Sequence, residues 1–132
     1  MRGNQSRTGG IELVFPYEEL SIVVSTMNQS VNGFPTGKFE ALTGICPDEA
    51  WSILRGLRDI LSQMYRERDG LELPTSPVVR LSPFEVIVVC SSMASAINHL
   101  HPAAFKTRTG FEFATASRVL SDLAAFRDKI WR

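Results

Sequence analysis

The sequence predicts a mainly helical α+β fold written twice, two strand–helix–loop–helix units related by a pseudo-twofold axis. Three observations carry this expectation. The chain aligns with itself without a gap at an offset of 66 residues, Glu19 to Met64 lying over Glu85 to Ile130. Apolar residues in both stretches recur at spacings of three and four, which places them on one helix face. Ahead of each stretch stands a short alternating apolar segment of strand type.

The strands come first. "IELVF" puts Ile11, Leu13 and Phe15 on one face, and "VVRLS" does the same with Val79 and Leu81. A helix follows each. Leu20, Val23, Val24, Met27, Val31 and Phe34 in the first copy answer to Val86, Val89, Cys90, Met93, Ile97 and Leu100 in the second. Both helices begin with β-branched runs, "ELSIVV" and "EVIVVC", which locally favour strand. The helical period continues through Met27 and Met93, and it decides for helix. The later helix has an explicit start, with Ser82 as N-cap, Pro83 in the first turn and Glu85 three residues on. The earlier one has Pro16 and Glu19 but Phe15 ahead of them, a weaker cap. Asn32-Gly33 is expected to stop that helix with a left-handed glycine.

The second helix of each unit carries Ala50, Ile53, Leu54, Leu57, Ile60 and Met64, matched by Ala116, Val119, Leu120, Leu123, Phe126 and Ile130. Preservation of the apolar face in two helices per unit is what a tandem duplication should retain. The repeats span 11–70 and 77–132 within one domain at 11–132. "YRERDGLELPTSP" joins them as a charged helix end and a turn. Residues 1–10, "MRGNQSRTGG", are expected to be a disordered, solvated leader.

Composition narrows the function. A chain of 132 residues is one domain's worth, able to bury ~65% of its unfolded surface. Fourteen basic residues balance fourteen acidic ones, so the concentrated positive charge that phosphate binding requires is missing. Two cysteines form no disulfide framework, and no apolar run is long enough to span a bilayer. A cytoplasmic protein is the expectation.

"FEALTGICPDEAWSILRGL" has the punctuation of a helix-turn-helix. Yet the first exposed residues of its second helix are Asp48 and Glu49, which suit a helix dipole and repel phosphate. The second copy offers Lys106, Arg108 and Arg118, with Glu112 among them. Phe39 and Phe105 read better as loop anchors, and Gly44 and Gly110 as positive-φ turns. No catalytic constellation, metal set or cofactor motif emerges, so the chain is not expected to be an enzyme. His99 and His101 flank Leu100 and point apart at a helix end, with no third ligand at a recognisable spacing. Cys46 precedes a helix without a positioned base and is expected to be a small buried side chain, while Cys90 lies in the core stripe. Asn32 and Asn98 are expected to satisfy loop backbone groups with their amides. Met27 and Met93 are core.

Where the copies differ is the better guide to a partner. Trp51 aligns with Ser117, and Arg55, Arg58 and Asp59 align with Ser121, Ala124 and Ala125. A large aromatic ringed by groups able to pair is a typical interface anchor. The expected partner face is Trp51, Arg55, Arg58 and Asp59, helped by Arg66, Glu67, Arg68 and Asp69 of the linker. The competing reading is that Trp51 covers the edge of the core, and a Trp51 side chain found fully buried there would belong to packing.

The pattern "EL...VV..MN..VNG...F..LTG..PDEA..IL..L" resembles short bacterial proteins found beside contact-delivered or secreted toxins and taken to be their immunity partners. The matching positions are Glu19, Asn32, Gly33, Phe39, Thr43, Gly44, Glu49, Ala50 and Leu54, with Phe105, Thr107, Arg108 and Gly110 similar in the second copy. The second copy departs from it at His99 and at Phe113-Ala114. The resemblance implies a non-enzymatic protein that neutralises a bacterial toxin by direct binding, and it brings no binding site with it. The alternative is a helix-turn-helix-like DNA-binding regulator.

Overall fold

The computed structural model describes residues 2–5, 10–69 and 78–130, the side chains of 2, 4, 5, 66–69 and 130 excepted. Three strands and six helices run β1 (Arg2–Gln5), β2 (Ile11–Val14), α1 (Tyr17–Val31), α2 (Lys38–Thr43), α3 (Pro47–Asp69), β3 (Val78–Leu81), α4 (Pro83–His99), α5 (Pro102–Thr109) and α6 (Phe113–Ile130). The fold is α+β and mainly helical, with one antiparallel sheet in the order β1-β2-β3. No helix among the described residues is long and apolar enough to cross a membrane.

The expected strands pair as neighbours. Leu13 lies opposite Val79, its counterpart at the offset of 66, and Ile11 lies opposite Leu81, the counterpart of Phe15. This register is compatible with a twofold axis through the Leu13–Val79 pair. Inward alternation buries Ile11, Leu13, Phe15, Val79 and Leu81 against the helices. The helix pairings repeat as well, since α1 packs on α3 as α4 packs on α6, and α2 meets α4 as α5 meets α1. One core runs through both halves, from Leu20, Val23 and Met27 to Val86, Val89 and Met93, closed by Leu54, Leu57 and Leu123.

Local chemistry recurs in the connections. Each expected loop contains a short helix. Phe39 and Phe105 are its buried anchors, and Thr43 and Thr109 each donate Oγ1 to the anchor's carbonyl at 2.8 Å. The same hydroxyls accept the backbone N–H of Ile45 and of Phe111 at 3.1 Å. Gly44 and Gly110 end these helices at φ 70° and 80°, which non-glycine residues adopt only under strain. At α4 the expected cap is present. Ser82 Oγ accepts from Glu85 N, and the Glu85 carboxylate accepts from Ser82 N.

Several expectations change. Residues 1–10 are not all an unstructured leader, because Arg2–Gln5 pair with β2 across its free edge. Gly3 lies opposite the buried Leu13, and a Cβ there would run into the Phe126 ring, so a side chain at this position would require that ring to move. Gly33 is not left-handed. A side chain at that position would strike the Gln29 carbonyl, so it is the missing Cβ that matters. Cys46 is exposed, because the turn after Gly44 sends Ile45 inward instead. Asn32 gives its amide to the Asn28 side chain and not to loop backbone, and Asn98 is exposed.

Candidate partner-binding face

α3 spans 23 residues and presents more than one face. Ala50, Leu54, Leu57 and Met64 are buried on the core side. Trp51 lies along the border of that side, half-buried, its ring packed against the core cluster. The helical period brings Arg55 and Arg58, four and seven residues on, over the same ring. Their guanidinium carbons stand 5.7 Å and 5.2 Å from the ring centroid, within cation–π range. Arg58 also donates to Asn28 Oδ1 on α1 at 2.7 Å, and Asn32 Nδ2 donates to the same oxygen at 2.7 Å. The ring and the Arg58 guanidinium are thereby held across the α1–α3 seam.

The structure therefore brings Trp51, Arg55 and Arg58 together. Asp59 is exposed and lies one row around the helix, outside the stacked group. Arg66, Glu67, Arg68 and Asp69 continue α3, and their side chains fall outside the described residues. Asn28 was missed. It aligns with Ala94, so the asymmetry that singled out Trp51 also marks it, though nothing in α1 alone ties it to Arg58. In the second half the same line carries Ser117, Ser121 and Ala124, which cannot build such a stack.

The remaining candidates stay dispersed. His101 caps α5, its Nδ1 accepting from Ala103 N at 3.1 Å, while His99 Nδ1 lies 2.9 Å from the Ser95 carbonyl. Among the described residues, no group of three His, Cys, Asp or Glu side chains is placed to hold a metal. Burial pushes the Cys90 thiol up to about 11, with Arg127 lowering it and Asp128 raising it. That is a packing thiol, not a nucleophile. On α5 and α6, Lys106 pairs with Glu112, and Arg118 lies 3.5 Å from both Glu19 and Asp122. Among the described residues, one shallow groove of about 370 Å³ lies beside Gly3 and Phe126, and another of about 150 Å³ lies between Gly56 of α3 and β3. Comparison with protein-family models, curated proteins and solved structures returned no match.

Proposed function

We propose that this chain is a duplicated strand–helix–loop–helix protein that acts by binding and not by catalysis. It serves, without a cofactor, as the cytoplasmic antidote to a bacterial toxin. One observation carries the reading: a half-buried Trp51 clasped by Arg55 and Arg58 and tied to Asn28, in one half only. Trp and Arg are the residues most enriched among interface hot spots. Stacking on the ring restricts the arginine rotamers before any partner arrives, which lowers the ordering cost of association. An antidote that occludes a toxin's active site needs only such a complementary surface. The DNA-binding alternative draws less support, because Lys106 and Arg118 are already engaged by carboxylates.

The test is capture of the toxin encoded by the neighbouring gene. One-to-one binding weakened about tenfold or more by Trp51→Ala supports the reading. Salt-sensitive retention on duplex DNA, with no toxin bound, would replace it with the regulator.

A further inference from the structure

We propose that the partner presents carboxylates to this face: two acidic side chains that receive Arg55 and Arg58 beside the Trp51 ring. The inference rests on the partner-face reading above and adds the partner's chemistry. Trp51, Arg55, Arg58 and Tyr65 are spaced by four, three and seven residues, so they follow one line along α3. The line has an aromatic at each end and two cations between, and Tyr65 is 55% exposed.

These two cations differ from most others on the described surface. Arg80 is paired with Glu12, Lys106 with Glu112, Arg118 with Glu19 and Asp122, and Arg127 with Asp128. No carboxylate among the described residues lies within ion-pair distance of Arg55 or Arg58. Arg58 gives one N–H to a neutral amide oxygen, which fixes its direction without neutralising it. A guanidinium has five donors, and its fork matches a carboxylate with two parallel bonds. Both side chains are thus oriented, charged and short of acceptors. The rim has the opposite sign, because Asp48 and Asp59, three residues before and eight after Trp51, are exposed beside this line on α3. A continuous phosphate backbone would meet those acids, whereas discrete carboxylates with a cation opposite Asp59 would not.

Titration of the full ¹⁵N-labelled chain with a polyglutamate peptide, and separately with duplex DNA, tests this by NMR. Polyglutamate should shift the Trp51 indole N–H and the Arg55 and Arg58 Nε–H signals in a saturable way that salt weakens. Joint replacement R55Q and R58Q should reduce that affinity by about tenfold or more. Unmoved signals, a larger response to DNA, or an unchanged double variant would each overturn the proposal. If polyglutamate fails while Trp51→Ala still releases the toxin, the partner face stands and its acidic complement falls. If both fail, the face is not a partner surface.

Discussion

Leu54 and Leu120 hold the same place in the two halves, yet truncating them should cost different amounts. Leu54 is fully buried in the main core, while Leu120 is half-buried at its border. Leu54→Ala removes about three buried carbons, worth roughly 2.4 kcal/mol at ~0.8 kcal/mol each. The cavity left behind raises the loss to ~3–4 kcal/mol. At Leu120 water reaches the vacated space and less area was buried at the start, so the loss is ~1–2 kcal/mol. The sequence alignment alone sets the two equal, at ~2–5 kcal/mol each. Urea denaturation followed by circular dichroism separates the cases. With a slope of ~2 kcal/mol/M, the midpoint should fall by roughly 1.5–2 M for Leu54→Ala and by under about 1 M for Leu120→Ala. Equal losses, or a larger one at Leu120, would refute the burial argument.

Other outcomes follow from single atoms. The Thr26 hydroxyl is buried with no hydrogen-bond partner among the described residues, so Thr26→Val should stabilise by ~1 kcal/mol and raise Tm by about 4 °C; a lower Tm would show that the hydroxyl is satisfied. Gly44→Ala and Gly110→Ala should each cost ~1–2 kcal/mol in denaturant titrations, because both sit at positive φ, and a loss at one glycine alone would contradict the equivalence of the two turns. Cys90 keeps its proton to about pH 11 in the fold against an ordinary value of 9.0, so its contribution to stability is complete below pH 9 and drains away as pH rises from 9 to 11. Melting at pH 8 and pH 10.5 should therefore show a larger alkaline drop for the parent than for Cys90→Ala, and identical drops would remove Cys90 from the pH response.

Much of the fold was legible because it rests on periodicity. Residues such as Met27 and Met93, or Leu57 and Leu123, announce a buried face by spacing alone. The Ser82 cap and the Gly44 and Gly110 turns were legible because each depends on neighbours within a few residues. What escaped depends on distant chain. β1 forms because β2 offers a free edge and Gly3 slips past Phe126, a contact between opposite ends of the sequence. Gly33 and Cys46 were misjudged through details of backbone direction that composition does not encode. At the candidate face, Trp51, Arg55 and Arg58 could be grouped from helical spacing. The tie from Arg58 to Asn28 required knowing how α1 lies against α3.

On the proposed reading, the Trp51 side of α3 meets the partner and its counterpart on α6 does not. The most direct measurement is isothermal titration of the neighbour-encoded toxin against Arg55→Glu, an exposed position, and against Ser121→Glu, its counterpart. Affinity should fall about tenfold or more for Arg55→Glu and change little for Ser121→Glu, both variants melting close to the parent. Parent-like affinity for Arg55→Glu, or an equal loss for both, would contradict it.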